Sequence, residues 1–524
     1  MPIHGCGRSA ILYAMKRRSF LQATLTAAAV APVGALWSRD AALAAETPVY
    51  DLIVVGAGTA GLPAAIFASR RGAKVLMVDA AKSVGGTLHL ANGQVSAAGT
   101  RLQQARGIVD TTDAHYEDVM RLSRGFADRD IVRRSVDEAP ATVNWLLDAG
   151  LTPLANHPVT GDSPGRPAYG IPRYLWAKEE GRAILAVIES ELAPELASGR
   201  VVAQLNTRVT GLLTSDSGAV EGIRALVNPG APGGGRELLA RGRHVLITSG
   251  GYAMNPEMFE RLCGQPPYVA SSYPFSQGQG LELATSVGGW LRGQELHRAG
   301  TGSILSSDRY PAKVYARFTT SPQQRPPWEI WVNTEGRRFV REDEPVTYER
   351  ERALLRQPDL RYAVVFDSEI LRTAPPGIAG WSRDKLMQHF ESHPMFARAD
   401  TLEALARRAG IDPAGLAATV EQYNAGVKTR SDPLGRQHMP LPVARGPFFA
   451  ITHLGHSATS SAGVVVDAQL RVLRGSGQPI PNLYAAGEVL GSGATLGNAF
   501  APGMMLTPAL ALGRWLGQTL PLGA

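Results

Sequence analysis

The stretch Tyr50-Asp51-Leu52-Ile53-Val54-Val55-Gly56-Ala57-Gly58-Thr59-Ala60-Gly61 decides the fold. Its apolar half predicts a short buried strand, and its glycines follow at G-x-G-x-x-G spacing. An alanine-rich helical stretch then runs to about Arg71, with Gly72 placed to stop it. A second strand, Lys74 to Val78, ends at Asp79. Each part has a mechanical task. Gly56 permits the tight turn, Gly58 lets a pyrophosphate approach the backbone, and Gly61 lets the helix pack close to the strand. The helix start at Thr59 and Ala60 presents amide hydrogens and a partial positive charge to phosphates. Asp79 is placed to bond ribose hydroxyls. Strand, turn, helix, second strand and acid in this order describe a dinucleotide site in an α/β protein.

Working outward, four stretches favour FAD over NAD. Gly85-Gly86-Thr87 and Ala91-Asn92-Gly93-Gln94-Val95-Ser96-Ala97-Ala98-Gly99-Thr100 follow the second strand. Arg243 to Ser249 reads as a strand ending in Gly250-Gly251, and Asn482 to Ala486 as a strand ending in Gly487-Glu488. A simple NAD domain has no use for a segment that returns so late in the chain.

These motifs resemble the fumarate reductase/succinate dehydrogenase flavoprotein superfamily, in the soluble branch that includes fumarate reductases, urocanate reductase and ketosteroid dehydrogenases. The likeness covers nearly all of residues 48–518. It implies a Rossmann-like FAD-binding domain (45–295 and 452–524) with an inserted α+β cap domain (296–451). Trp331 to Val340 is similar to a cap hairpin of the family, Tyr362 to Asp367 reads as a buried cap strand, and 401–428 reads as helical. By the same resemblance Glu488 binds the ribityl or ribose region and Val209 meets the adenine through its backbone. Gly503-Met504-Met505-Leu506 starts the last helix against the flavin N1/O2 edge, where its dipole stabilises an anionic reduced ring. The implied cofactor set is completed by Gly86, Thr87, Asn92, Gly93, Val95, Ser96, Gly251 and Gly487. Histidine-linked flavins of the family place the histidine near the Gly93 turn, but His89 is two residues out of register. The FAD is therefore read as non-covalent. In Gln277-Gly278-Gln279-Gly280, which resembles a Thr-Gly-Asp-Gly turn of the family, the aspartate is replaced by Gln279.

The substrate end departs from the fumarate reductases. Arg338-Phe339-Val340-Arg341-Glu342 matches their hairpin, but the position of their proton-donating arginine is Val346. Thr459 stands where their clamping histidine falls, and no arginine occurs in Gly497 to Pro502. A dicarboxylate held away from water needs at least two bidentate cationic partners, so the sequence argues against fumarate reduction. Ala501-Pro502-Gly503-Met504-Met505-Leu506 looks closer to the ketosteroid dehydrogenases. In those enzymes a donor polarises a ketone, a base takes the acidified proton and flavin N5 takes a hydride. Candidates for the proton-transfer roles are Tyr348, Tyr174 and His456. Against them stand a solvated helix face over Arg341–Arg352, a core aromatic, and a turn-ordering histidine. Arg173 and Arg298 could take an acidic substrate group or form surface ion pairs.

Three readings follow. One is a dehydrogenase or reductase acting on a C–C bond beside a carbonyl, on a ring ketone or steroid-like substrate with an external electron acceptor or donor. Another is a reductase of an unsaturated acid fed by a separate carrier. The third is a redox-neutral isomerase or hydratase.

Composition narrows the class. The net charge is +7, of which residues 1–44 supply +4, and no basic stripe interleaved with aromatics occurs in the body. This excludes nucleic acid as a partner. The two cysteines, Cys6 and Cys263, offer neither CxxCH nor a metal signature. Arg17-Arg18-Ser19-Phe20-Leu21-Gln22, the mild apolar stretch Ala23–Leu36 and Ala42-Leu43-Ala44 resemble a twin-arginine signal peptide over residues 1–44. This predicts a folded protein exported to the periplasm or beyond, with Met1 or Met15 as its start. Fourteen mostly alanine residues are too few for a stable membrane span.

Overall fold

The computed structural model describes residues 49–161, 168–231, 233–264 and 267–522. The leader read over 1–44, with Cys6 and both start methionines, lies outside them. Strand β1 (Val49–Val55) is buried from Leu52 onward. Helix α1 (Gly61–Arg70) carries the chain to β2 (Val75–Val78), buried at every residue. Such unbroken apolar runs suit parallel strands covered on both faces.

β1 and β2 pair in parallel, and β3 (Val201–Gln204) extends the sheet beyond β2. Strands β4 (Thr207–Thr214) and β5 (Val220–Val227) form a hairpin that adds antiparallel to β6 (Arg236–Ile247). β6 corrects an expectation: it is one twelve-residue strand, where the sequence suggested one run at 237–240 and another from 243. Its outer half pairs with β5 and its inner half runs parallel to β1. Gly242 is tolerated mid-strand because a side chain there would come within 2.7 Å of Ile53.

A second sheet comprises β7 (Ile330–Asn333), β8 (Arg361–Asp367), β9 (Phe396–Ala399) and β10 (Phe448–Leu454), all antiparallel in the order β7-β8-β10-β9. Between β7 and β8, helix α2 (Thr347–Leu354) buries Arg350, Glu351 and Arg352, so the charge-rich run is not a solvated face. The helical stretch expected over 401–428 is two helices, Leu402–Ala409 and Pro413–Thr429, divided where Gly410 turns left-handed before Pro413. β10 stays in register with β8 out to Leu454, three residues past the expected boundary at 451.

The chain then returns to the first sheet. β11 (Arg471–Leu473) pairs antiparallel with β12 (Pro479–Ala485), and β12 lies parallel to β6. This gives the path β11-β12-β6-β1-β2-β3. The last helix, α3 (Leu506–Thr519), packs on α1 at backbone distance: a Cβ on Gly513 would lie 2.0 Å from the Ala60 carbonyl oxygen. One apolar core lies around the first sheet and another around Trp331, Tyr362 and Phe449 of the second. No helix among the described residues is long and apolar enough to cross a membrane.

Candidate active site

A cavity of about 560 Å³ opens at the carboxyl ends of β1, β2 and β6, the usual ligand position in a doubly wound sheet. Its first wall is mostly backbone. Gly56 adopts φ +110°, and a Cβ there would lie 2.6 Å from the Thr248 carbonyl. Gly58 and Gly86 face each other, with 3.8 Å from an added Cβ on Gly58 to the Gly86 Cα. A Cβ on Gly61 would lie 2.0 Å from the Gly56 carbonyl oxygen, so only glycine lets α1 begin this close to β1. No side chain caps α1, and its first turn holds no acid. The start of α3, beside Gly503, Met505 and Leu506, is likewise uncapped. Two helix N-termini thus offer partial positive charge to one cavity.

Two half-buried acids belong to this wall. Asp79 accepts from the Ala57 amide at 2.6 Å and the Ala81 amide at 2.7 Å. Burial raises its pKa, and those two bonds draw it back. Glu488 accepts from the Ser460 amide at 3.0 Å, and burial raises its pKa against the hydrogen bonds from Ser460 and Gly251. The Gln279 amide donates to the Val209 carbonyl, so the backbone expected at the adenine is already engaged at its oxygen.

Of the expected cofactor residues, Gly56, Gly58, Thr59, Ala60, Asp79, Gly86, Thr87, Asn92, Val209, Gly487, Glu488, Gly503, Met505 and Leu506 line the cavity. Gly61, Gly93, Val95, Ser96, Gly251 and Met504 stand behind it. Gly93 (φ +65°) packs against the Glu180 carbonyl, and Val95 is core. Ser96 donates its amide to Thr507 Oγ1 at 2.8 Å and accepts that hydroxyl at its own carbonyl, fastening the start of α3. Gly251 leaves room for Ser460 and Glu488. Met504 is buried in an apolar cluster. His89 Nε2 bonds to the Val84 carbonyl at 2.8 Å and does not line the cavity. The glycine opening, the paired helix starts and the acid at the end of β2 fit FAD.

The second wall is made of side chains from distant segments: Ser271, Ser272, Tyr273 and Phe275, then Arg317, Thr459 and Phe500. None of the three proton-transfer candidates lines it. Tyr174 is buried in the two-residue strand Tyr174–Leu175, which pairs with Val95–Ser96. Tyr348, half-buried in the first turn of α2, packs against the same cluster as Tyr174 and Met504, with the Arg352 guanidinium 5.0 Å over its ring. His456 is half-buried, within the electrostatic reach of Arg317. Burial first, then the arginine charge, lowers its pKa to about 4, so it is neutral at physiological pH and cannot serve there as a proton donor.

Arg173 and Arg298 are corrected too. Arg173 is fully buried, bidentate to Asp110 and paired with Asp118 at 2.7 Å. Arg298 pairs with Glu351 at 3.3 Å and lies 5.4 Å over the Phe500 ring. Sequence reading missed Arg317, Tyr273 and Phe500, which have no local motif to announce them.

Residues 51–501 match the family described as FAD binding domain. The chain belongs to this flavoprotein family. It is 28% identical over 458 residues to fumarate reductase (cytochrome) of Shewanella frigidimarina, covering 86% of this chain and 74% of that protein. It is 25% identical over 555 residues to 4-oxocyclohexanecarboxylate 2-dehydrogenase of Sinomonas cyclohexanicum, covering 90% and 92%. Among solved structures, 3-ketosteroid-Δ4-(5α)-dehydrogenase from Rhodococcus jostii superposes with TM-score 0.62 at 25% identity, over 90% of this chain and 96% of that one. The cofactor of this flavoprotein is FAD, and it is an oxidoreductase acting on CH–CH groups.

Proposed function

We propose that this flavoprotein acts on a carbon–carbon bond adjacent to a carbonyl, in a ring ketone or similar partly apolar substrate, with FAD held non-covalently. The observation that carries the reading is the charge of the second wall: among the described residues that line it Arg317 is the sole cation, and the positions of the fumarate-reductase clamp hold Val346, Thr459 and an arginine-free 497–502 loop. Two carboxylates would lack the bidentate partners that their desolvation demands.

When bound, the flavin supplies the hydride acceptor or donor. The protein's own residues hold and orient the substrate and move the proton. Phe500, Met505, Leu506 and Pro508 offer apolar surface where the substrate stacks. The uncapped start of α3 faces charge developing on the ring system. Tyr348 is the proposed proton-transfer group, because it is half-buried at a helix start beside the Met504 cluster, whereas Tyr174 is buried and His456, equally half-buried, has its pKa lowered to about 4. Tyr174 supports that cluster from behind.

The twin-arginine-type leader motivates export, with a separate electron carrier as redox partner. A second reading, reduction of an unsaturated acid by such a carrier, draws on the fumarate reductase relative. Anaerobic assay separates them. Ring-ketone oxidation with an artificial acceptor supports the first, activity only with reduced viologen and an unsaturated acid supports the second, and turnover without flavin bleaching sinks both.

A further inference from the structure

Several buried and half-buried arginines are held by carboxylates. Arg298 is held by Glu351 at 3.3 Å. Arg352 pairs with Glu349 at 3.1 Å and donates to Asn498 Oδ1 at 3.1 Å, tying α2 to the loop that carries Phe500. Arg325 is bidentate to Glu329, and Arg173 is spent on Asp110 and Asp118. Each is neutralised where it stands.

Arg317 is different. It ends the strand Val314–Arg317, in register with Ser303 of the opposing strand Ser303–Leu305. Its Nη1 donates to Ser303 Oγ at 3.2 Å, a neutral partner, and among the described residues it has no carboxylate within ion-pair distance. It is exposed, and the space it is exposed to includes the cavity. The two acids of the cavity, Asp79 and Glu488, are bonded to the backbone amides of Ala57, Ala81 and Ser460. The neighbouring titratable groups do not compete, since His453 and His456 are both held neutral by burial, with pKa values of about 4.

An arginine left uncompensated at the mouth of a partly apolar pocket is poised for an anion, because a carboxylate offers the fork geometry that a guanidinium matches. We infer that Arg317 anchors a single carboxylate of the substrate, which places this flavoprotein among enzymes of monoanionic ring substrates rather than of neutral steroids or dicarboxylates. The inference rests on the reading above and names its substrate class: a ring with its reacting bond on the apolar surface of Phe500 and Leu506 and one acidic group towards the strand Val314–Arg317. One guanidinium neutralises one carboxylate; a neutral ketone would leave it unpaired, and a dicarboxylate would leave its second charge unpaired. The phosphates of FAD are the other anion within reach. The Gly56–Ala60 turn and the free start of α1 already provide for them on the facing wall.

The test uses the FAD-loaded protein and a non-reacting probe. Cyclohexanecarboxylate and cyclohexanecarboxamide are titrated while the flavin absorption spectrum is recorded, on the wild type, Arg317→Ala and Arg317→Lys, with FAD content measured for each. The wild type should bind the carboxylate and discriminate against the amide. Arg317→Ala should weaken carboxylate binding by about tenfold or more, Arg317→Lys should recover part of it, and FAD content should be equal in all three. Several outcomes would overturn the assignment: no carboxylate-dependent shift in the wild type, equal affinity for amide and acid, or wild-type affinity in Arg317→Ala. Loss of FAD from Arg317→Ala would overturn it as well, assigning the guanidinium to the cofactor. Flavin bleaching by ring ketones, measured separately, keeps the two claims apart: no bleaching with intact Arg317-dependent binding rejects the chemistry and retains the anchor.

Discussion

The two walls of the cavity are built by different means. The first is backbone: Gly56, Gly58, Gly61 and Gly487 stand where a Cβ would strike a neighbouring chain or leave less room for a ligand, and two bare helix starts face the same space. The second is a collection of side chains, Tyr273, Arg317, Thr459 and Phe500, brought together from segments far apart in sequence. A backbone wall cannot be altered without altering the fold, so it suits a cofactor common to a whole family. A side-chain wall can change residue by residue while the sheet stays put, so it suits a substrate that differs between members.

The largest effect should come from breaking the first wall. Gly61→Ala puts a methyl 2.0 Å from the Gly56 carbonyl oxygen, at a cost of about 3 kcal/mol or more, and Gly513→Ala presses on Ala60 from the other side. Both proteins should purify with little or no FAD, as read from the ratio of flavin to protein absorbance. Full occupancy in Gly61→Ala would show that the contact can relax and that the wall is not rigid.

Next is the second wall. Tyr348→Phe should retain FAD and lose roughly 10²-fold to 10⁴-fold in kcat, the range for removing a proton-transfer group. Tyr174→Phe should change kcat far less. The reverse order would move the proton-transfer role to the buried tyrosine.

The pH response should separate the desolvated histidines from the two acids of the first wall by sign. His297, His453 and His456 have pKa values lowered by burial to about 4. The unfolded chain therefore takes up protons first as pH falls through about 6.5, and stability drops from there to about 4. Asp79 and Glu488 have raised values. Their contribution is greatest below the ordinary carboxyl range of about 4 and is lost as pH rises through the raised folded values. Melting temperature against pH should flatten on the acid side in His456→Gln and improve on the neutral side in Glu488→Gln. Curves unchanged from the wild type would mean that neither group is linked to folding.

The smallest effect is expected at the join between the walls. Gln279→Ala removes one hydrogen bond to the Val209 carbonyl and should weaken FAD binding by about 1 kcal/mol, measurable by fluorescence on flavin release.

The same division explains what could be read from the chain alone. The β1–α1–β2 unit, the return of β12 to β6 and the cofactor glycines are written in contiguous stretches whose spacing is dictated by backbone geometry. Arg173 was misjudged because Asp110 and Asp118, which neutralise it, reach it only through tertiary packing. Arg317 carried no signal, for it follows an unremarkable run of residues and lines the cavity only through the pairing of Val314–Arg317 with Ser303–Leu305. β6 was divided in two because Gly242 reads as a strand breaker until Ile53 is seen to occupy the space of a side chain.

The claim that most needs testing is that the cavity brings a C–H bond beside a carbonyl up to the flavin. The direct measurement is anaerobic mixing of the FAD-loaded protein with a saturated ring ketone, followed by the visible flavin band. Bleaching, with the matching enone recovered in equal amount, is the predicted result. A flavin that stays fully oxidised with saturated ring ketones, with and without a carboxylate, would contradict it.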